Sequence, residues 1–336
     1  MRPGVSLRGA LLGALTFSLA GAAGAETLKF AHFVPPAHVI TESIIEPLKA
    51  QTEEATDGSL VIDIYPGGEL GPGPVEQYVR AVNGVADITF GLAGYTSSQF
   101  PLSMIVELPG VVDEAGSGYA AVWAVYDEYL APEFPGTKPL ALWTSEPNVL
   151  IMKDREVRSP EDLAGLKVRV SGAVPGRVIE ALGATPVQMP ATEMYNALQT
   201  GLIDGIMTGA SAIRDFRLNE VADVYVEGPS LGNILFYVVM NQERYDSLPE
   251  GEKAAIDAIA GEMLSRSGEE GWRGVAAETI AGLKSDPDKT VISLGEDEAA
   301  AFNEITLGVR DAVVSGLDAE GKPASDVLSA MTGAGM

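Results

Sequence analysis

The feature that most constrains this chain is a strand and helix alternation that it runs through twice. Thr27-Leu-Lys-Phe-Ala-His32 alternates like a strand, Pro35-Pro36 enforces a turn, and a helical pattern follows from about His38 to Glu54. Leu60 to Tyr65 alternates again, a glycine and proline cluster fills 66–74, Val75 to Asn83 is helical, and Asp87 to Leu92 is an apolar strand. That rhythm belongs to a parallel sheet with crossover helices. It restarts after Lys153: Ser159-Pro-Glu-Asp162 reads as a capped helix start, Lys167-Val-Arg-Val170 as a short strand, and Pro175 to Leu182 as a helix. Thr185 to Met189, the helix Ala191 to Thr200 and the strand Asp204 to Met207 continue the second unit. Asn233 to Met240 reads as one more strand, and Pro249 to about Lys284 as a helix long enough to brace both units. With no low-complexity linker between them, the two units are expected to be lobes facing one another across a cleft, where the carboxyl ends of parallel strands usually hold a ligand.

Met1 to Ala25 has the form of a removable export signal. Arg2 and Arg8 give positive charge, residues 9–20 are mostly apolar, and Ala23-Gly24-Ala25 suits cleavage. The apolar stretch is shorter than the roughly 20 residues a membrane span needs. The expected product is a periplasmic protein of 311 residues without membrane insertion.

Charge and composition exclude several functions. The chain carries 22 basic and 47 acidic residues, a net charge of −25, and losing Arg2 and Arg8 makes it −27. Nucleic acid and anionic membrane surfaces are therefore excluded as partners. A small anion is not, because a screened field acts over only about 8 Å and a buried arginine can outweigh it. The absence of cysteine removes thiol nucleophiles and disulfides, and only His32 and His38 are available as imidazole ligands. No phosphate-binding loop, nucleophile elbow or zinc-binding helix motif occurs. The reading is a binding protein without cofactor or metal, and not an enzyme.

The informative segments are Pro160-Glu-Asp-Leu-Ala-Gly-Leu-Lys-Val-Arg-Val170, Ala181-Leu-Gly-Ala-Thr-Pro-Val-Gln-Met-Pro190 and Glu193-Met-Tyr-Asn-Ala-Leu-Gln-Thr-Gly-Leu-Ile-Asp-Gly205. In that order and spacing they resemble the solute-binding proteins of tripartite ATP-independent periplasmic (TRAP) transporters, the DctP family. Phe30-Ala-His-Phe-Val-Pro-Pro-Ala-His38 and Gly94-Tyr-Thr-Ser-Ser-Gln-Phe-Pro101 extend the resemblance to most of residues 28–285. It implies a type II-like periplasmic-binding fold, with lobe I over 26–148 and 236–277 and lobe II over 149–235 and 278–336. It also implies a small organic carboxylate as ligand and a pair of integral membrane subunits as partner.

In that family an arginine on the short lobe II strand pairs with the ligand carboxylate, and the matching residue is Arg169. A guanidinium suits the role because its parallel N–H donors match two carboxylate oxygens and it stays charged when desolvated. The chain departs from the family at three nearby positions. Thr192 stands where some members have an aromatic, Thr208 where asparagine is frequent, and Asn148 is the nearest polar residue to a missing upstream arginine. His32 and Tyr95 from lobe I and Phe236 on a crossing strand complete the expected contact set. Arg177 and Trp143 are weaker candidates, read mainly as a helix surface residue and a core aromatic. Two rivals remain: the ligand-sensing module of a receptor, and a periplasmic α/β enzyme.

Overall fold

The computed structural model describes residues 25–112 and 116–334. The expected export signal lies outside them except for Ala25. Eleven strands are described: β1 (Glu26–Ala31), β2 (Leu60–Tyr65), β3 (Ile88–Leu92), β4 (Thr137–Thr144), β5 (Asn148–Met152), β6 (Lys167–Val170), β7 (Thr185–Gln188), β8 (Gly205–Gly209), β9 (Val224–Glu227), β10 (Leu235–Asn241) and β11 (Thr290–Ser293). They form two sheets, β2-β1-β3-β10-β4 in lobe I and β7-β6-β8-β5-β9-β11 in lobe II.

Both sheets are built alike. In lobe I, β1 pairs in parallel with β2 and β3. In lobe II, β6 pairs in parallel with β7 and β8. Each sheet then takes in one strand running the other way, at the point where the chain crosses between lobes. β10 is antiparallel to β3 and β4, and β5 is antiparallel to β8 and β9. The two crossings, 145–147 and 228–234, are hydrogen-bonded to one another: Ser145 N donates to Ile234 O at 2.8 Å and Asn148 N to Gly232 O at 2.8 Å. The lobes are thus joined by two crossings hydrogen-bonded to one another.

Side-chain alternation gives each sheet two buried faces. Phe236, Val238 and Met240 of β10 pack with Phe30, Phe90 and Trp143 on one side, whereas Leu235, Tyr237 and Val239 pack with Phe100 and Leu142 on the other. In lobe II, Val168 and Val170 face Leu150, Met207 and Phe302. Arg169, between them, projects to the opposite face, beside the cluster of Val149, Ile151, Ile206 and Met194.

The predicted brace is present with two differences. The helix does not run unbroken from Pro249. It stops after Asp257 and restarts as Glu262–Ser285, because Gly261 adopts a left-handed φ of 82° and donates its N–H to Leu140 O at 2.7 Å. Leu264 and Trp272 of the restarted helix lie in the lobe I core, and Ala276 and Leu283 in that of lobe II. The second difference corrects the expected lobe boundary. The helix Glu296–Ala319 leaves the lobe II core at Ala299 and Phe302 and delivers Val314 to lobe I, where Ala324, Val327 and Met331 of the final helix Ala324–Ala334 are also buried. Apolar faces on Gly118–Val125 await that helix, and nothing local in the sequence of 278–336 signals which lobe it covers.

Candidate functional site

Between the lobes lies a cleft lined by residues of both. Its lobe I wall is aromatic: Phe33, Phe90 and Phe236, with Trp272 from the brace helix. Phe33 stacks on Phe90 at 5.6 Å between centroids, Phe90 on Phe236 at 5.8 Å, and Phe236 meets Trp272 at 5.2 Å. Phe216 supplies a fifth ring from lobe II, linked to Trp272 through His38 at 5.7 and 5.4 Å.

The lobe II wall carries the charge. Arg169 is 1 % exposed. Its Nε and Nη2 both donate to Met189 O, at 3.0 and 2.9 Å, which fixes the plane of the guanidinium. The remaining N–H groups are left for Tyr95 and for the cavity that Arg169 lines. Burial lowers the arginine pKa, opposed first by Tyr95 and least by Glu193. The guanidinium therefore sits desolvated, with a carbonyl and a phenol as close partners but no carboxylate paired to it among the described residues. A buried cation so placed gains most from an anion that brings two acceptor oxygens.

Tyr95 reaches across from lobe I. Its Oη accepts from Ala191 N at 2.9 Å, and burial holds the phenol above its ordinary pKa, so the group stays O–H. His38 is neutral as well. Burial first, then the nearby charges of His32 and Arg214, push its pKa down to about 3. Its Nδ1 accepts from Ile40 N at 3.2 Å, so Nε2 bears the proton and points to Asp215 Oδ2, 3.5 Å away. Arg169 is thus the one charged side chain among the residues that line the cleft.

The sequence-predicted residues divide into those the fold brings to the cleft and those it does not. Arg169, Thr208 and Phe236 line it, and Tyr95 contacts Arg169 at its edge. Thr208 stands two residues beyond Ile206, the register partner of Arg169, and therefore shares its face of the sheet. His32 does not line the cleft. Its backbone is tied to β2 and the following turn, His32 N to Tyr65 O and Gly68 N to His32 O at 3.0 Å each, and the ring stands edge-on to Phe30. His38, from the same motif, takes the place expected of it. Thr192 is exposed, since its neighbours Ala191 and Met194 turn the inner face of that helix toward the cavity. Asn148 lines a separate cavity behind the crossings with Glu146 and Asn233. Trp143 is core, fully buried against Phe90 and Phe236, and Arg177 is on an exposed helix surface. Sequence analysis missed Phe33, Phe90, Phe216 and Trp272. Phe33 lies inside a motif already singled out, whereas Trp272 sits on a helix whose pattern gives no sign that it reaches the cleft.

Comparisons with known proteins identify the family and the fold. The family model described as bacterial extracellular solute-binding protein, family 7 (DctP), matches residues 30–314. A solute-binding protein from a marine metagenome, described as TRAP and specific for aromatic acid ligands, in complex with 3-hydroxybenzoate, superposes with a TM-score of 0.85 at 27 % identity, covering 92 % of this chain and 98 % of that one. A TRAP solute-binding protein from Rhodoferax ferrireducens with copurified benzoate gives 0.84 at 26 %, covering 91 % and 96 %. The C4-dicarboxylate-binding periplasmic protein DctP of Rhodobacter capsulatus is 25 % identical over 93 % of this chain and 95 % of its own length. With the family model matched over residues 30–314 and TRAP solute-binding proteins superposing over more than nine-tenths of its length, this chain belongs to the DctP family of TRAP-transporter solute-binding proteins.

Proposed function

We propose that this protein captures an aromatic monocarboxylate by closing its lobes and delivers it to the membrane subunits of a TRAP transporter. The observation that carries the ligand class is the pairing of one buried cation with a wall of five aromatic side chains. Arg169 takes the carboxylate through the N–H groups not engaged by Met189 O, and Tyr95 donates its O–H to the same group from the other lobe. Phe33, Phe90, Phe216, Phe236 and Trp272 take the ring by stacked and edge-on contacts. Thr208 is left to read a polar substituent. A second carboxylate would meet no second cation, which disfavours dicarboxylates. The two neighbours with benzoate and 3-hydroxybenzoate support this choice, being more similar in fold than those with sugar acids.

Because contacts to the ligand come from both lobes, they are complete only on closure, and the ligand stabilises the closed form by that difference. The site of action is the periplasm, after removal of residues 1–25. Since the family is one of solute-binding proteins, the ligand leaves chemically unchanged. Mass spectrometry of ligand incubated with the protein tests this, and steady conversion would move the protein to an enzyme class.

A thermal-shift panel of organic acids tests the ligand class. Benzoate-type acids should raise the unfolding temperature, since a ligand at 100 times its Kd stabilises by about 2.7 kcal/mol. Succinate and sugar acids should do so weakly. A stronger response to dicarboxylates than to aromatic monocarboxylates would overturn the assignment.

A further inference from the structure

We propose that the closing of the lobes is governed by a seam that runs outward from the edge of the ligand cavity, where lobe I caps a helix and a helical turn of lobe II and Gly94 and Gly172 meet backbone to backbone. The inference rests on binding by lobe closure as proposed above. The helix Ala173–Ala181 begins after Gly172, and the helical turn Ala191–Glu193 after Pro190, and neither preceding residue supplies a side-chain cap. Their first N–H groups lack an acceptor from their own segment. Both acceptors come from one stretch of lobe I, Ala93–Gln99. Ser97 Oγ accepts from Ala173 N at 3.4 Å, and Tyr95 Oη accepts from Ala191 N at 2.9 Å. The Ser97 hydroxyl spends its own hydrogen on Gly94 O at 2.6 Å, which leaves its lone pairs for lobe II. Opening the cleft breaks both caps and returns those N–H groups to water.

The glycines define how far closure can go. A Cβ on Gly172 would lie 2.5 Å from Gly94 O and 2.9 Å from both Gly94 C and Cα. These are backbone atoms that cannot rotate aside. The backbone of Gly172 is extended, with φ of −173°, a conformation any residue adopts. Lobe II by itself therefore has no need of glycine at 172. The requirement comes from lobe I and exists only when the lobes meet. Gly94, Ser97, Gly172 and Ala173 do not line the ligand cavity. Changes there alter the open and closed populations without touching the ligand, and apparent affinity follows the closed population.

The native chain has no cysteine, so Asn83→Cys and Glu180→Cys, one exposed position in each lobe, give two unique labelling sites for single-molecule energy transfer. Benzoate serves as the probe ligand. On that labelled parent, Gly172→Ala should unfold without ligand at the parent's temperature, populate the open form more, and bind benzoate at least about tenfold more weakly. Ser97→Ala should shift both readouts in the same direction by about threefold. If Gly172→Ala reaches the parent's closed distribution and retains its benzoate Kd, the seam does not govern closure. If benzoate fails to move the parent itself, the aromatic ligand class is wrong. The ligand-free distributions then decide the seam alone: a shift toward the open form in Gly172→Ala supports it, and identical distributions overturn it.

Discussion

The two lobes share one strand order yet contribute opposite chemistry to the cleft. In lobe I, the face of the sheet toward the cleft is given to rings, with Phe90 on β3 and Phe236 on β10 continuing the aromatic core that holds Trp143 and Trp272. In lobe II, the equivalent face carries Arg169 and Thr208 among mostly aliphatic neighbours, with Phe216 as its ring at the cleft. Lobe I can build its wall at little cost, since stacked rings are stable with or without a ligand. Lobe II must hold a desolvated cation, and it does so by directing two N–H groups to one carbonyl and taking a phenol from across the cleft. On the proposed binding mode, affinity for the charged end of a ligand is concentrated in Arg169 with Tyr95, while affinity for the other end is spread over several rings.

That division is most directly broken at Arg169. Arg169→Ala should weaken benzoate binding by at least about 30-fold, since stranding one partner of a buried charge pair typically costs about 2 to 5 kcal/mol. Arg169→Lys should fall between, keeping charge without the fork. Titration calorimetry with circular dichroism separates loss of the site from loss of fold, and a folded alanine variant of native affinity would place the anchor elsewhere. On the lobe I side the same deletion logic predicts a smaller effect. Phe33→Leu removes one ring of several and should lower benzoate affinity roughly 2- to 10-fold, corresponding to about 0.5–1.5 kcal/mol per aromatic contact. An aliphatic acid of similar size should lose less. Equal losses for both acids would mean that the ring wall does not select for aromatics.

Carboxyls are also buried beside the crossings that join the lobes. Glu107 accepts from Leu235 N at 2.8 Å and Glu146 from Ser211 N at 2.6 Å, and each has a second buried oxygen without a hydrogen-bond partner. Burial pushes Glu107 up to about 8 and Glu146 up to about 7. A carboxyl whose pKa is raised by folding holds a proton that the unfolded chain has released, so its stabilising share is lost as pH rises through the folded value. His32 and His38, pushed down to about 4 and about 3, act oppositely below pH 6.5, where only the unfolded chain takes up their protons. Between pH 6.5 and 8.5 the carboxyls act alone, and the unfolding temperature should fall across that window. Glu107→Gln, which mimics the neutral form, should flatten the fall and gain roughly 1–2 °C at pH 8.5, about what 1 kcal/mol gives in a chain of this length. An unchanged slope would mean the carboxyl is not buried neutral. The smallest effect belongs to Arg177→Ala, an exposed cation on lobe II, which should leave benzoate affinity unchanged and so show that Arg169 acts by position and not by general charge.

Local pattern was enough to find part of this protein. Alternation and turn residues located β1, β2, β3, β6, β8 and β10, because burial on one or both faces of a sheet leaves a period of two that neighbours in sequence reveal, whereas β4, β5, β9 and β11 were not read from it. The Ser159 cap, the short strand of Arg169 and the helices that follow were legible for the same reason, as was the single arginine in a strand otherwise apolar at its inner positions. What only the tertiary structure decided was which residues meet across the cleft. His32 and His38 stand in one motif with equal chemical claims, yet His32, paired by its backbone with a distant strand, does not line the cleft and His38 does. Trp272 reaches the cleft because the brace helix restarts at Gly261, and the last helix sits on lobe I because a buried face there is open to receive it. Gly172 needs to be glycine only because Gly94 arrives from the other lobe. Contacts between segments far apart in sequence leave no period to read, since each side need only be compatible with its own strand or helix, and the requirement arises when the two surfaces come together.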